Sequence, residues 1–392
     1  MTVSLLWWIV GSACVLYGLG MAAIAYGRWR SSAALPDRAV PARLSVVIPA
    51  RNEAEVLPHC LDALQEQALP DTVELEIIVV DDQSSDATRV RAQRHLQAAV
   101  PAGAAPAGDD HPEEMLHQVH TLPDAWGAGK EAAVAYGTAQ ATGTVMLVLD
   151  ADCVPPPSWA ATLARACTEA TPVVCGPVRY TADAEDWLDR FQALEFLGLN
   201  AYGAGTAGLG CPTICNGGNM AVHRSLIEAL PTEQVTAHLA ADELLVQHVA
   251  YQTNRQVRYV WDTNACVATA PAASWQDFWQ QRTRWAHAMQ SYQMVPWLLS
   301  MGVFAVHAAL LVACGAGVAH PDAFSQPAVA GLLAKMGADL LLLLPASNTL
   351  GHRDLMRSFV PASLLQLVYV VAAGLYGAFG AVRWKGRTVS TQ

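Results

Sequence analysis

The chain has few charged residues and almost no lysine. Charged side chains make up 15% of its 392 residues, whereas 53% of the residues are hydrophobic. A typical soluble domain is about 25% charged, so the excess apolar residues need an environment other than an ordinary soluble core. Only three lysines accompany 20 arginines, and the formal net charge is −11. This balance excludes a dedicated nucleic-acid binder, and the apolar content excludes a disordered chain.

Paired cysteine motifs are also missing. The nine cysteines are scattered, and no two of them have the CxxC spacing of a zinc or redox site. Cys211 and Cys215 are four residues apart but have no second pair of ligands nearby in the sequence. The sequence therefore predicts neither a disulfide framework nor a zinc site, and a reducing compartment is the simpler interpretation.

The apolar residues are concentrated at the two ends of the chain. An uncharged run at 3–26 is long enough to span a bilayer, which takes about 20 residues, so 1–27 is predicted to be a transmembrane helix. Arg28 and Arg30 follow the run. Because positive flanks stay in the cytoplasm, the next domain is expected to face the cytoplasm. A cleaved signal peptide is disfavoured because 1–6 contains no Lys or Arg.

The region 295–383 is predicted to hold two to three further membrane helices. Its apolar stretches are approximately 295–318, 328–345 and 360–382. The second stretch contains Lys335 and Asp339, which can neutralise each other on one helix face and are either functional or structural in a helix bundle. Three crossings would leave the tail 384–392 outside, yet its basic residues favour the inside. The topology therefore stays open at this stage.

Residues 44–292 are predicted to form one α/β domain. Runs typical of buried strands alternate with stretches of helical spacing. The strand runs are 44–48, 75–80 and 144–149, and the helical stretches are 53–67 and 129–142. Such alternation implies a mostly parallel sheet flanked by helices, which binds ligands at the carboxyl ends of its strands. Acidic residues follow two of these strands, at 81–82 and 150–152, and a low-complexity loop at 101–111 is expected to be mobile.

Carboxylates at these strand ends predict a cation and nucleotide site. Asp150 and Asp152 flank one residue after the third strand, and two carboxylates this close repel each other unless a cation lies near them. Hard oxygen ligands favour Mg²⁺ or Mn²⁺ shared with substrate phosphates, although a solvated acidic turn has the same pattern. Asp82 can bind a nucleobase or ribose, or it can cap the helix that begins near Ser85.

Three other positions have candidate chemistry. Lys130 follows two glycines at a helix start, where backbone N–H groups and a cation favour anions; the alternative is an ordinary surface lysine. The segment 280–285 has two arginines and a tryptophan, which can clamp a pyrophosphate and stack on a sugar or prenyl chain, or can form a juxtamembrane belt. Asp242 or Glu243 can act as a general base, or can complement a helix dipole.

Taken in order, these pieces resemble the family-2 inverting glycosyltransferases of the GT-A fold. The similarity covers about 44–290. Its stretches are LSVVIPARNEAEVL at 44–57, IIVVDDQSSDAT at 77–88, GKEAAVAYGTAQATG at 129–143, VMLVLDADC at 145–153, CNGGNMAVHR at 215–224, ADE at 241–243 and QRTRW at 281–285. Each stretch is weak alone, and the ordered set is specific. The resemblance implies a metal-dependent enzyme that transfers a hexose from a nucleotide sugar, with a UDP-sugar as the expected donor, in one inverting displacement.

The resemblance also implies roles for individual residues. The donor would be held by Ala50, Arg51, Glu53, Asp82, Lys130, Asp150, Gln281, Arg284 and Trp285. The metal, Mg²⁺ or Mn²⁺, would be held by Asp150 and Asp152. The acceptor site would be bordered by Asn216, Gly217, Gly218, Asn219 and Trp285. Asp242 would be the catalytic base, with Glu243 the weaker candidate, because Ala241 replaces the first of the two acids that the family often has here.

The membrane segments favour a lipid or lipid-linked acceptor. One N-terminal anchor and a short C-terminal hydrophobic bundle are similar to transferases of the ceramide, hopanoid and carotenoid type. This similarity predicts a multi-pass protein of the cell (inner) membrane with its catalytic domain in the cytoplasm. Two alternatives stay open. A processive polysaccharide synthase shares QxxRW but generally needs more spans, and a non-catalytic membrane protein that only binds a nucleotide would not need Asp242.

Overall fold

The structure is a computed structural model that describes residues 3–32, 35, 37–98, 116–181, 186–229, 242–380, 383–384 and 387–388. The loop expected at 101–111, Ala241 and Lys385 lie outside the described residues. The chain divides into two compact units. The sheet unit comprises Ser31–Arg179 and Ile214–Ala270, and the helical unit comprises Met1–Arg30, Tyr180–Thr213 and Pro271–Gln392. Each unit is described by itself.

The elements are named here in chain order. The strands are β1 Arg43–Ala50, β2 Glu74–Asp81, β3 His117–Thr121, β4 Val145–Leu149, β5 Val173–Cys175, β6 Val178–Tyr180, β7 Asn219–His223, β8 Val257–Tyr259, β9 Val267–Thr269, β10 Arg383–Trp384 and β11 Arg387–Thr388. The helices are α1 Val3–Ser31, α2 Leu57–Gln65, α3 Thr88–Ala98, α4 Lys130–Gln140, α5 Trp159–Ala166, α6 Trp187–Gly208, α7 Arg224–Ala229, α8 Asp242–Gln252, α9 Trp275–Ala288, α10 Met294–Ala319, α11 Pro321–Thr349 and α12 Phe359–Phe379.

The expected mostly parallel α/β sheet is confirmed. Its strand order is β3-β2-β1-β4-β7-β5-β8. Strand β1 pairs in parallel with both β2 and β4, whereas β7 runs antiparallel to β4 and β5. Successive residues of β1, β2 and β4 are buried, which requires cover on both faces and explains the continuous apolar runs in the sequence. The carboxyl ends of β1, β2 and β4 therefore lie along one edge.

The helical unit contains long apolar helices. In the part of the chain that the structure describes, four helical segments are long and apolar enough to cross a membrane: Trp7–Ser31, Met294–Ala319, Phe324–Thr349 and Arg353–Phe379. They overlap the four apolar stretches that the sequence singles out. A cluster of buried side chains, including Val10, Leu310 and Leu367, joins α1, α10 and α12. The four segments agree with the prediction that both ends of the chain contain apolar helices that could span a membrane.

A buried polar cluster connects these apolar helices. The Lys335 ammonium on α11 lies 2.8 Å from the Asp339 carboxylate and donates a hydrogen bond of 2.5 Å to Gln366 on α12. The Tyr17 hydroxyl on α1 donates to Asp339 over 2.6 Å. The ring of His307 on α10, which is also buried, lies 6.4 Å from the Tyr17 ring. The cluster, defined by these five residues, therefore contains side chains from all four helices.

The sequence-based boundary at residue 292 differs from the observed grouping. Helices α6 and α9, expected within one domain at 44–292, group with the apolar helices. Aromatic packing accounts for this, since the Phe191 ring of α6 lies 5.7 Å from the Tyr369 ring of α12. On α9, His287 hydrogen-bonds to the carbonyl of Gly377 over 2.9 Å. Local periodicity identifies each helix but not its packing partner.

Candidate active site

Asp82 is held at the end of β2 by donors from two other segments. Arg51, which follows β1, donates from Nη1 to the Asp82 carbonyl over 3.0 Å and to Oδ2 over 3.1 Å. The backbone N–H of Gly129 donates to the same Oδ2 over 3.1 Å. Asp82 is only 3% exposed. Three of the segments expected to bind the donor therefore meet at this carboxylate.

The helix-capping alternative for Asp82 does not hold. Helix α3 begins at Thr88, not near Ser85, and the Thr88 N–H donates to the Asp86 carboxylate over 2.9 Å. The second oxygen of Asp86 accepts from the backbone N–H of Ala54 over 3.2 Å. Asp86 therefore caps the helix and links it to the segment after β1, which leaves Asp82 with a different role.

The segment after β1 is shaped by Asn52, a residue that sequence reasoning missed. Asn52 has φ of 56°, in the left-handed region that Asn tolerates better than most residues. Its Oδ1 accepts from the Ser85 N–H over 2.8 Å. Ala50 is buried, and its carbonyl accepts from the Asp82 N–H over 2.8 Å. Glu53 is half-buried beside this turn. An Asn two residues after the end of a buried strand is the sequence signal for such a turn.

Asp150, at the end of β4, is paired with Lys130. The lysine Nζ lies 2.6 Å from Oδ1 and 2.9 Å from Oδ2 of Asp150. Lys130 is the first residue of α4, and the preceding Gly129 has φ of 108°, which favours glycine. Lys130 is exposed, as an ordinary surface lysine would be, but its ammonium is paired with the Asp150 carboxylate. The ammonium group places positive charge directly on the expected metal ligand.

The pKa of Asp152 is raised above its ordinary value. Desolvation by neighbouring protein atoms is the largest cause, and the negative charge of Asp150 adds to it. A hydrogen bond from Thr269 and the positive charge of Lys130 act in the opposite direction. The residue as a whole is solvent-exposed, although its carboxyl group is packed among protein atoms. A cation near both carboxylates would relieve their repulsion.

These side chains fit an open divalent-metal site. Asp150 and Asp152 supply hard oxygen donors, and the described ranges contain no group of three or more His, Cys, Asp or Glu side chains that forms a closed metal site. Mg²⁺ and related cations often bind one or two carboxylates and take their other ligands from phosphates and water. The donor set therefore suits a metal shared with a diphosphate.

Two glycines bring Asp242 and Asp150 to the same loop. The Gly217 N–H donates to Asp242 Oδ2 over 2.5 Å. A Cβ atom on Gly217 would overlap the Asp242 carboxylate, and one on Gly218 would overlap the Asp150 carboxylate. The loop before β7 thus passes in contact with both acids only because neither residue has a side chain. The NGGN sequence carries this signal, although the family resemblance implies only an acceptor role for it.

Asp242 is ionised despite its burial. Desolvation by burial raises its pKa, but hydrogen bonds from the Glu243 side chain and the Gly217 amide, together with the charge of Lys130, outweigh this effect and lower the pKa below its ordinary value. Asp242 is also the first residue of α8, where the helix dipole favours an anion. An ionised carboxylate can accept a proton, so Asp242 has the chemistry that a general base needs.

The two asparagines of the NGGN loop have different environments. Asn216 Nδ2 donates to the Tyr259 hydroxyl over 3.3 Å and is partly exposed. Asn219 is 0% exposed, and its Nδ2 donates to the carbonyls of Pro177 and Ala265. Its Oδ1 accepts from the indole N–H of Trp159 over 2.8 Å. Asn219 therefore links buried segments of the protein interior. Because its side chain is buried and hydrogen-bonded, it does not border an acceptor site as expected.

The QxxRW residues lie on α9, in the helical unit. Gln281, Arg284 and Trp285 are half-buried and share one face of this helix, since they are spaced i, i+3 and i+4. The helix begins after Ser274, whose Oγ accepts from the Asp277 N–H over 3.1 Å. The Trp285 ring stacks on Phe196 of α6 at 5.9 Å. The motif is therefore anchored to the helical unit's own core.

Comparison with known proteins identifies the family. Residues 45–230 match the model of Glycosyl transferase family 2, and residues 145–376, more than half of the chain, match that of Glycosyl transferase family group 2. The probable glycosyltransferase YdaM of Bacillus subtilis is 30% identical over 252 residues, which are 63% of this chain and 55% of the relative. The chain thus spans about half the length of that relative.

Two other proteins extend the comparison. The undecaprenyl-phosphate 4-deoxy-4-formamido-L-arabinose transferase of Yersinia pestis is 27% identical over 251 residues, which cover 58% of this chain and 68% of the relative. The solved mannosyltransferase PcManGT from Pyrobaculum calidifontis, in complex with GDP-Man and Mn²⁺, aligns with a TM-score of 0.54 at 19% identity. That alignment covers 95% of this chain and 99% of PcManGT, and it supports the fold. The chain belongs to the family 2 glycosyltransferases.

Proposed function

We propose that this glycosyltransferase transfers a hexose from a nucleoside diphosphate sugar, with a UDP-sugar as the expected donor, to a hydroxyl of a lipid or lipid-linked acceptor. The transfer inverts the anomeric centre. The observation that carries the proposal is the placement of Asp242 and Asp150 against adjacent glycines of one loop. An ionised base is thereby held close to the acid expected to bind the donor diphosphate.

Each group has one part in the proposed reaction. Asp82 and Arg51, with the backbone at Ala50 and the side chain of Glu53, hold the nucleoside end of the donor. Lys130 supplies positive charge to the diphosphate. A Mg²⁺ or Mn²⁺ ion bound by Asp150 and Asp152 would supply Lewis-acid stabilisation of the leaving diphosphate.

The acceptor is activated by Asp242. Its carboxylate removes the proton of the attacking hydroxyl as the oxygen reaches the anomeric carbon from the face opposite the diphosphate. One displacement on that face inverts the configuration and needs no covalent glycosyl-enzyme. Asn216, Gly217 and Gly218 border the acceptor. Gln281, Arg284 and Trp285 contribute the polar, cationic and aromatic groups that the QxxRW motif predicts for donor and acceptor.

The apolar helices support a membrane lipid as acceptor. Four helical segments of the described chain have the length and composition of membrane spans, and the Yersinia relative is by name a transferase that uses undecaprenyl phosphate. We place the protein in the cell (inner) membrane as a multi-pass protein with its catalytic unit in the cytoplasm, because arginines follow the first apolar run.

The test is a transfer assay on the full-length protein in detergent. Radiolabelled UDP- and GDP-sugars are supplied singly with Mn²⁺ and with a lipid extract from cells that lack the protein, and the lipids are analysed by mass spectrometry. We expect one donor to yield a lipid whose mass increases by one hexose. A ladder of long saccharides would favour a processive synthase, and absence of any product with every donor would contradict the proposal.

Asp152→Asn is expected to lower the transfer rate by about 100-fold or more, because loss of the metal's charge removes several kcal/mol of stabilisation. The initial rate is measured across a Mn²⁺ titration, and the variant should need more Mn²⁺ for its half-maximal rate. Asp62→Asn is the matched control, since the Asp62 carboxylate lies on the surface of α2, 2.9 Å from His95. An unchanged Mn²⁺ dependence in Asp152→Asn would contradict the metal assignment.

Gly217→Ala is expected to lower the transfer rate by about 100-fold, since a misplacement of about 1 Å at a reacting group has this effect. The added methyl would displace the Asp242 carboxylate. Gly302→Ala is the control, because a Cβ there meets open space. Rates are compared per molecule that binds UDP, so a folding defect is separated from lost catalysis. If Gly217→Ala has the same transfer rate as the parent, the position of the Asp242 carboxylate does not matter for the reaction, and the proposed role of Asp242 is contradicted.

A further inference from the structure

Helix α9 carries a buried arginine to which the QxxRW motif assigns no role. Arg282 is one of the two unspecified positions of the motif, yet it is only 4% exposed. Its guanidinium forms an ion pair with Glu195 of α6, whose side chain is buried as well, with Nε 3.3 Å from Oε1 and Nη2 bonded to Oε2. Its Nη1 donates to the side-chain oxygen of Gln281. A bidentate pair of this kind fixes the plane of the guanidinium.

Tyr369 completes the pair from the last apolar helix. Its hydroxyl donates to Glu195 Oε1 over 2.6 Å, so the carboxylate accepts hydrogen bonds from both α9 and α12. Burial lowers the pKa of Arg282, but the charge of Glu195 and its hydrogen bond, together with contributions from Tyr180 and Tyr369, outweigh burial and raise the pKa, so the guanidinium stays charged. The positive charge of Arg282 and the negative charge of Glu195 therefore compensate each other.

Arg282 also contacts the aromatic residue of the motif. Its Cζ lies 4.3 Å from the ring centroid of Trp285 and 4.6 Å from that of Phe278. The Trp285 ring in turn stacks on Phe196, and Phe196 stacks on Tyr180 at 4.4 Å. Arg282 thus touches two of the three motif side chains, Gln281 by a hydrogen bond and Trp285 by a cation–π contact.

We propose that Arg282 is a positioning residue, which Glu195 and Tyr369 hold in place, and that it orients Gln281 and Trp285 for the transfer step. A buried ion pair usually adds little stability compared with apolar residues of the same size. It does impose an orientation, because the planar guanidinium has fixed donor directions. The last apolar helix therefore sets the geometry of the motif. This inference rests on the proposed function.

Arg282→Lys is the primary test, because lysine keeps the charge but loses the bidentate fork and the flat stacking surface. We expect kcat for transfer to fall about 10- to 100-fold. The dissociation constant of UDP should stay within about twofold, since Asp82 and Arg51 of the sheet unit are proposed to hold the nucleoside. Arg43→Lys, which alters the exposed pair of Arg43 with Glu74, should leave both quantities unchanged.

Tyr369→Phe is the second variant, and it removes one hydroxyl while leaving the ion pair intact. We expect kcat per UDP-binding molecule to fall about fivefold, and the melting temperature to fall by only a few degrees, since one hydrogen bond to a charged group is lost. Melting temperatures in detergent and UDP-binding stoichiometry are measured for all variants. A purely structural role would lower the melting temperature and leave kcat per UDP-binding molecule at the parent value, and that result would overturn the inference.

The test also separates this inference from the proposed function. If Asp152→Asn and Asp242→Asn abolish transfer while Arg282→Lys and Tyr369→Phe keep the parent kcat, the positioning role alone is wrong. If Asp152→Asn and Asp242→Asn keep the parent rate, the proposed function itself fails.

Discussion

Asp242→Asn is expected to lower the rate of sugar transfer by about 10²- to 10⁴-fold, the usual contribution of a general base. The amide has nearly the shape of the carboxylate but cannot remove a proton. Asp242 suits this role because it accepts hydrogen bonds from the Gly217 and Glu243 amides and is ionised at neutral pH. UDP affinity should change little, because the base acts on the acceptor.

Glu243→Gln is the matched control for the base. The glutamine keeps the size and hydrogen-bonding capacity of Glu243 but removes its carboxylate. We expect its rate to remain within about tenfold of the parent, since Asp242 keeps its amide donors and its ionisation. A larger loss in Glu243→Gln than in Asp242→Asn would contradict the assignment and make Glu243 the base.

The lowered pKa of Asp242 predicts how the transfer rate changes at acidic pH. A base whose pKa lies below the ordinary aspartate value stays deprotonated until the pH falls below that value. At a Mn²⁺ concentration high enough to keep the proposed metal ligand Asp152 ionised, the transfer rate should therefore be flat from neutral pH down through the ordinary aspartate pKa and decline only below it.

The nature of the acceptor can be tested with the same variant. A phosphate oxygen is already anionic at neutral pH, so a lipid phosphate needs no proton removed before attack. If the acceptor is a phosphate, as the name of the Yersinia relative indicates for that protein, Asp242→Asn should retain most of its rate. A large loss therefore supports a hydroxyl acceptor, and the size of the effect reports on the acceptor chemistry.

Lys335→Met and Asp339→Asn are each expected to lower the free energy of unfolding by about 3–5 kcal/mol, the cost of leaving one buried charge unpaired. Lys335 is 0% exposed, and its ammonium contacts Asp339 and Gln366 of the polar cluster among the apolar helices. Thermal unfolding in detergent measures the effect.

The double variant Lys335→Met/Asp339→Asn should recover most of this loss, because it leaves no net charge in the cluster. Tyr17→Phe serves as the control and should cost about 1.5–3 kcal/mol, less than either charge variant, since it removes a single hydrogen bond to the Asp339 carboxylate. Additive losses in the double variant would contradict a paired role. If the stable double variant transfers sugar at the parent rate, this result would favour a structural role of Lys335 and Asp339 over a functional one.

The fold class follows from the amino-acid sequence, and the sequence also predicts most of the candidate site residues. Apolar runs identify the long helices, because a membrane span needs about 20 apolar residues whatever its neighbours are. Alternating strands and helices predict a parallel sheet, and parallel strands present their carboxyl ends at one edge. That rule alone predicts that Asp82 and Asp150 lie at one edge of the sheet, whereas Arg51 is expected there only from the family resemblance.

Contacts between segments that are far apart in the chain are visible only in the tertiary structure. The contact of Asp242 with the glycine loop depends on the antiparallel strand β7, which lies between β4 and β5, and no local pattern reveals that reversal. The ion pair of Arg282 with Glu195 joins residues 87 positions apart, and Asn219 proved to be buried. Periodicity records which face of an element is apolar, whereas partners and register are selected by side-chain packing across the whole chain.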